Sequence, residues 1–358
     1  MANHEHWMGQ ALKLAEQGIN TTTPNPAVGC VLIGADGSLV GQGYHQQAGG
    51  PHAEVFALRD AGDKARGATA YVTLEPCNHQ GRTGPCSQAL IDAGIKTLVY
   101  AMQDPNPLVC GQGLARLRAA GVEVIGPYLE AEARELNRGF IKRMTQGRPF
   151  LTCKLAMSLD GRTAMANGQS KWITGPAARE DVQTLRARSC AIITGAGTVL
   201  ADNPSLTWRC NRPAGVSRQP VRIVLDRHLR TPVSAAILQE PGTTWLISPQ
   251  TVAANSPLAP FVKNLPDELP ALMDWLGAEG CNQVLLEAGA KLAGRFLAAR
   301  LIDELVVYLA PTLMGSRALP LFDLQLDHMS ERIGLSIQSV SAVGVDLKIT
   351  AVPKGPHY

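Results

Sequence analysis

The feature that most restricts what this chain can fold into is a regular alternation of short apolar runs with amphipathic stretches, interrupted once. Trp7, Ala11, Leu14 and Ala15 share one helical face that ends at Gly18, and Val28 to Ile33 is an unbroken apolar run. Such a run is the pattern of a strand covered on both faces. Helical patterns over 53–61, 88–93 and 114–120 then alternate with strand patterns over 71–74, 97–101 and 122–125. Alternation of this kind predicts a three-layer α/β sandwich. Leu129 to Met144 reads as one charged amphipathic helix, and Gln146-Gly147-Arg148-Pro149 breaks the pattern. The domain boundary is placed there, giving domains 1–146 and 147–358. Beyond it, strand patterns over 150–157, 191–194, 222–225, 244–247, 284–286 and 305–309 alternate with helical ones over 177–188, 269–278 and 291–301. The segment 203–220, with three prolines, reads as a loop, and 335–352 as a closing hairpin turned near Gly344.

Length supports two domains, because 358 residues exceed what one core commonly serves. A net charge of +3 without any Lys/Arg run argues against a nucleic-acid partner, and an aromatic content of 5% argues against a base-stacking platform. No stretch has the length and apolarity of a membrane span. The polar start, with His4, Glu5 and His6, lacks a basic segment followed by an apolar one. Eight cysteines are scattered without the rhythm of a disulfide scaffold. A cytoplasmic enzyme with reduced thiols, bound to neither membrane nor nucleic acid, is the expectation.

The chemistry is concentrated in His52-Ala53-Glu54, Pro76-Cys77 and Cys86. One imidazole and two thiolates are the ligand set of a zinc site with its fourth position open. Glu54 suits a proton shuttle better than a fourth ligand. Any one of these residues alone fits a buried thiol or a capping histidine. Together, and in this order, they predict a zinc deaminase. Both cysteines are expected at helix N-termini, where thiolate is favoured over thiol. His79 is the alternative fourth ligand; it would make the zinc structural and leave Glu54 without a task.

The second half is less explicit. Gly195-Ala196-Gly197 follows a strand pattern, but Leu200 stands where a dinucleotide fingerprint needs its third glycine. Leu285 to Lys291 reads as a buried strand, a small-residue turn and a helix start, which suits a phosphate or is simply a tight turn. Lys154 inside an apolar strand run requires a partner for its charge.

Eight residues separate Cys77 from Cys86, rather than the two of the common deaminase signature. The run Pro76-Cys77-Asn78-His79-Gln80-Gly81-Arg82-Thr83-Gly84-Pro85-Cys86, with 24–29 and 104–107, closely resembles the bifunctional riboflavin-biosynthesis deaminase/reductase family. The resemblance continues through 154–161, 172–175, 197–204 and 287–289, and so covers nearly the whole chain. It implies a cytidine-deaminase-like three-layer sandwich followed by a dihydrofolate-reductase-like domain. It also implies zinc, NADPH and a small-molecule substrate, a diaminopyrimidinone carrying a ribosylamino phosphate. By motif position His52, Cys77 and Cys86 hold zinc, Glu54 moves the proton, and Asn25 hydrogen-bonds the pyrimidine. His45, His79, Arg82 and Asn106 are further candidate contacts. The resemblance assigns Ala156, Trp172, Thr198, Asp202 and the turn Gly289, Ala290, Lys291, Leu292, Ala293, Gly294 and Arg295 to NADPH. Ser170, Arg186, Leu206, Arg209 and Glu287 go to the substrate, the two arginines suiting its phosphate. Lys154, partnered by Glu287, is the catalytic candidate for hydride transfer to the sugar. A homo-oligomer is expected by analogy.

Overall fold

The computed structural model describes residues 3–78, 84–107, 109–209, 218–266 and 268–354. It divides into two compact units, Met1–Gly147 and Arg148–Tyr358. The first opens with α1 (His4–Glu16), β1 (Gly29–Ile33), β2 (Leu39–Tyr44), α2 (Ala53–Ala61) and β3 (Thr69–Val72). It continues through α3 (Cys86–Asp92), β4 (Thr97–Tyr100), α4 (Gln112–Ala119), β5 (Glu123–Ile125), α5 (Glu130–Leu136) and α6 (Arg138–Gln146). The sheet runs β2-β1-β3-β4-β5, with β1 antiparallel to both neighbours and β3, β4 and β5 parallel.

Register explains why helices cover both faces. Gly29 pairs with Tyr44, and a Cβ on Gly29 would lie 2.0 Å from the Ala11 carbonyl oxygen of α1. Gly43 pairs with Cys30, one residue along and therefore on the opposite face, and its Cβ would lie 2.4 Å from Phe56 Cβ of α2. Strand and helix backbones thus touch at glycines on both sides, which draws α2 tightly onto the sheet. All five residues of β1 are buried, the basis of its unbroken apolar run.

The single helix expected over 129–144 is two helices. The break is Asn137, buried, whose Oδ1 accepts from Ala27 N at 2.8 Å and whose Nδ2 donates to Ala27 O at 2.9 Å. Satisfying both backbone groups of a residue more than a hundred positions away costs the helix its continuity.

The second unit contains β6 (Phe150–Ser158), β7 (Arg162–Ala164), α7 (Pro176–Arg188), β8 (Ala191–Gly195), α8 (Ala196–Asp202), β9 (Val221–Leu225), α9 (Ala236–Gln239) and β10 (Thr244–Ser248). There follow β11 (Val262–Asn264), α10 (Leu269–Ala278), β12 (Gln283–Glu287), α11 (Ala290–Ala298), β13 (Glu304–Ala310), β14 (Leu319–Pro320), β15 (Gly334–Val343) and β16 (Asp346–Lys354). Nine strands form one sheet in the order β11-β10-β9-β8-β12-β6-β13-β16-β15. It is parallel from β11 to β13 and antiparallel where the hairpin β15–β16 joins it. Neighbouring residues of its strands enter different cores. Ile193, Ile223 and Leu286 pack with Met273 and Phe296 of α10 and α11, while Ile192, Val224 and Leu285 pack with Ile237 of α9. No helix among the described residues is long and apolar enough to cross a membrane.

Candidate active site

In the first unit, His52 caps α2 in extended conformation and Glu54 lies in that helix's first turn, buried. Cys86 opens α3. Cys77 is not in a helix; it lies in the segment between β3 and α3, and its Sγ accepts from Cys86 N at 3.4 Å. The start of α3 therefore serves both thiols, with only one of them inside the helix. His52 Nδ1 lies 3.2 Å from Cys86 Sγ and 3.6 Å from Cys77 Sγ. The three donor atoms lie within 4.8 Å of one another. A tetrahedral ion with bonds of roughly 2.1 Å to nitrogen and 2.3 Å to sulfur separates those ligands by about 3.6 Å, so the cluster has the dimensions of a zinc site. The Cys77 thiol is drawn well down by the Cys86 and His52 hydrogen bonds, against its burial. Burial holds the Glu54 carboxyl above the usual range.

Asn25 reaches this cluster through a histidine. Asn25 Nδ2 lies 3.0 Å from His45 Nε2, and His45 Nδ1 lies 2.9 Å from Pro51 O, the carbonyl just before His52. A carbonyl only accepts, so His45 carries its proton on Nδ1, and burial keeps the ring neutral. Nε2 is then an acceptor for the Asn25 amide, which leaves Asn25 Oδ1 as the group free to turn elsewhere. With both ring nitrogens engaged and the ring buried, His45 orients Asn25 rather than offering a contact of its own. Asn106 is half-buried in the segment between β4 and α4.

In the second unit, the register pairs Glu287 of β12 with Lys154 of β6. Arg186 of α7 closes on Glu287 from the helix side, Nε to Oε1 at 2.6 Å and Nη2 to Oε2 at 3.0 Å, and its Nη1 donates to Thr207 O at 3.1 Å. Burial pulls the Lys154 ammonium below its ordinary range, opposed by the Glu287 charge. Burial pushes Glu287 the other way, but Arg186, Lys154 and Arg209 outweigh it and hold the carboxyl low. Lys154, Arg186, Arg209 and Glu287 thus form one electrostatic cluster at the end of β12. Ser170 Oγ donates to Asp202 Oδ1 at 3.0 Å, and Trp172 is exposed beneath the Arg179 guanidinium, 4.5 Å from the ring centre. Leu206 is buried with a positive φ of 49°.

The turns after β8 and β12, neighbouring parallel strands, lie side by side: a Cβ on Gly195 would meet Leu292 Cδ2 at 3.3 Å. In front of Gly197 and Gly289 there is open space, as a cofactor cradle requires. Gly289 caps α11, with Ala290, Lys291 and Leu292 in its first turn. Ala293 is buried in the core, and Gly294 packs on Asp323, whose carbonyl oxygen would be 2.3 Å from a Cβ there. Arg295 is exposed one turn further on. Thr198 is half-buried in α8, and Ala156 half-buried on β6 beside Tyr308.

Residues 149–349 match the RibD C-terminal domain family, and residues 1–102 match the cytidine and deoxycytidylate deaminase zinc-binding region. The chain is 49% identical to the riboflavin biosynthesis protein RibD of Escherichia coli, over 96% of this chain and 97% of that protein. The RibD structure from Acinetobacter baumannii superposes with a TM-score of 0.93 at 45% identity, covering 98% of this chain and 99% of that one. A Thermotoga maritima structure gives 0.90 at 34% identity over the same shares; that protein is described as a diaminohydroxyphosphoribosylaminopyrimidine deaminase/5-amino-6-(5-phosphoribosylamino)uracil reductase. The chain belongs to the RibD family. The fold expected from the resemblance, a cytidine-deaminase-like sandwich followed by a dihydrofolate-reductase-like RibD domain, holds.

His79 and Arg82, singled out in the RibD-like cysteine segment, lie outside the described residues. Two groups at the first site carried no sequence signal. Glu75 accepts four backbone N–H groups from 104–114, and Asn78 Oδ1 accepts from Ser87 Oγ at 3.0 Å and Arg116 Nη1 at 2.9 Å. Most of their partners are remote in sequence, so local spacing gives no reason to single them out.

Proposed function

We propose that residues 1–146 deaminate a diaminopyrimidinone carrying a ribosylamino phosphate with zinc, and that residues 147–358 then reduce its ribosyl group to ribityl with NADPH. The two activities, as consecutive steps of riboflavin biosynthesis, follow from membership of the RibD family. The observation that carries the reading is the convergence of one imidazole and two thiols within 4.8 Å, with the buried Glu54 two residues from the imidazole. Zinc, when bound there by His52, Cys77 and Cys86, supplies a Lewis acid that makes water a nucleophile near neutral pH. Glu54 takes the proton from that water, passes it to a ring nitrogen and assists the departure of ammonia. Asn25, held by its amide nitrogen on His45, presents its oxygen to an N–H of the pyrimidine.

In the second unit NADPH, when bound, would supply the hydride. The open turns at Gly197 and Gly289 to Leu292 would receive it, together with Ala156, Trp172, Thr198, Asp202 and Arg295 by motif position; Ala293 and Gly294 are packed inside the unit. Lys154 protonates the sugar oxygen or nitrogen as the ring opens, its proton made more acidic by burial and retained by Glu287. Arg186 is engaged by Glu287, so the substrate phosphate falls mainly to Arg209, with Ser170 and Leu206 shaping the site. The same proposal includes self-association: Leu335, Ile337 and Val340 are exposed along β15, the outer strand of the nine-stranded sheet.

Glu54→Gln separates the two roles at the metal. The variant is expected to keep zinc and the reductase activity and to release no ammonia. Undiminished ammonia release would remove Glu54 from the mechanism.

A further inference from the structure

The carboxylate of Glu75 is buried and lies two residues before Cys77. Its Oε2 accepts from Gly111 N at 2.9 Å and Asp104 N at 3.3 Å, and its Oε1 from Gly113 N at 2.9 Å and Leu114 N at 3.4 Å. Both oxygens therefore accept from main-chain donors, three of the four at the cap and first turn of α4, where unpaired N–H groups and the helix dipole favour a negative charge. The helix also presses on the next residue. A Cβ on Gly113 would lie 1.9 Å from Pro76 O, so only glycine lets α4 approach this closely. On the far side of Cys77, Asn78 Oδ1 is held by Arg116 of the same helix and by Ser87, the neighbour of Cys86. Ser87 N also donates to Cys77 O at 3.1 Å. The chain is thus gripped by α4 before and after the thiol, while Cys77 Sγ itself faces His52 and Cys86.

We infer that Glu75 is the positioning residue of the metal centre: docked on the first turn of α4, it sets where Cys77 Sγ stands relative to His52 and Cys86. The inference rests on the zinc reading of the site proposed above. Glu75 is not itself a ligand, since both of its oxygens are engaged by main-chain N–H groups of 104–114. Its effect passes through Pro76 to the thiol. A ligand displaced by a few tenths of an ångström weakens a tetrahedral site, and loss of an outer partner commonly costs about 10–100-fold in metal affinity or activity.

The test uses the zinc-loaded full chain and Glu75→Gln. The amide keeps the shape but turns an NH2 donor toward two N–H donors, so one half of the dock is repelled. Zinc affinity, read by competition with a chromophoric chelator, is expected to fall about 10–100-fold. The thiolate-to-cobalt band of the cobalt-substituted variant is expected to shift, while NADPH-dependent turnover by the second unit stays at the parent level. A variant with parental zinc affinity and cobalt spectrum would overturn the inference, whatever its melting temperature. If E75Q fails to fold, as read by its circular dichroism, Arg116→Met, which releases the Asn78 grip together with the Arg116 contact to Gln88 of α3, carries the same readout: weakened zinc supports the inference and parental zinc overturns it. A parent that holds one zinc but deaminates nothing would break the functional reading and leave this result standing. A parent that holds no zinc would overturn both.

Discussion

Removing Arg186 is expected to destabilise the second unit far beyond the loss of a surface ion pair. The Arg186 and Glu287 side chains are each 10% exposed and joined by two parallel hydrogen bonds of 2.6 and 3.0 Å. Arg186→Met deletes that partner and strands a carboxylate in the interior, where only Lys154 and the more distant Arg209 oppose its charge. Breaking one side of a buried pair costs about 3–5 kcal/mol, against less than about 1 kcal/mol for an exposed one. At a slope of roughly 2–3 kcal/mol per molar urea, the midpoint moves down by about 1–2.5 M. Four of the five tryptophans belong to the second unit, Trp245 and Trp275 with ring centres 5.0 Å apart, so tryptophan fluorescence follows that unit. Arg186→Met combined with Glu287→Gln removes both charges of the pair and is expected to recover part of the loss, because Lys154 then stays buried without its carboxylate. The sign with pH is also set. Glu287 has its folded pKa lowered from 4.5, so the pair's stabilisation is present above that unfolded value and is lost as pH falls through the depressed one. A single variant with a midpoint within about 0.3 M of the parent would refute the reasoning, because the pair would then be behaving as a solvated one.

Glu287→Gln is expected to move the Lys154-dependent limb of the reductase pH profile to lower pH, since removing the adjacent negative charge leaves burial to depress the ammonium further; an upward or absent shift in the rate profile contradicts the pairing. Asn137→Ala leaves Ala27 N and O without their partner and should cost about 1–3 kcal/mol for each group left unpaired, with a raised KM for deamination because Asn25 loses its anchored neighbour; urea titration and steady-state deamination assays test both. His45→Ala is expected to lower deaminase kcat/KM by raising KM while zinc content stays at the parent level, as the Asn25 amide loses its acceptor; parental kinetics would show that His45 does not orient Asn25. Stripping zinc with a chelator should abolish deamination and leave reduction of the pre-formed deaminated substrate intact; loss of both activities would contradict the independence of the two chemistries.

What could be read from sequence was whatever burial or local spacing writes into one stretch. β1 shows as an apolar run because both of its faces are covered, and the β15–β16 hairpin shows through Gly344, at a φ of 65° between the paired Val343 and Asp346. The cluster of His52, Cys77 and Cys86 was legible because histidine, glutamate and two cysteines in that order serve few other purposes. β2 was not read as a strand, since the positions that face α2 are Gly41 and Gly43, which have no side chain to carry a hydrophobic signal. The division of α5 from α6 was hidden for another reason. Its cause, Asn137, is a polar residue whose partner Ala27 lies on a remote segment. Glu75 and Asn78 were missed likewise: their partners are main-chain donors and an arginine some 30–40 residues later, which no local pattern encodes. Arg186 and Glu287, 101 residues apart, were each reached through resemblance alone, as substrate contacts; their pairing with one another is seen only in the structure.

The central claim is that one chain performs both chemistries in order. The most direct test is the mass of the product formed from the diaminopyrimidinone ribosyl phosphate by zinc-loaded protein, with and without NADPH. The account predicts a gain of about one mass unit without NADPH, as an amine becomes a carbonyl oxygen, and about two more with it, as hydride and proton are added. No change in mass under either condition would contradict it.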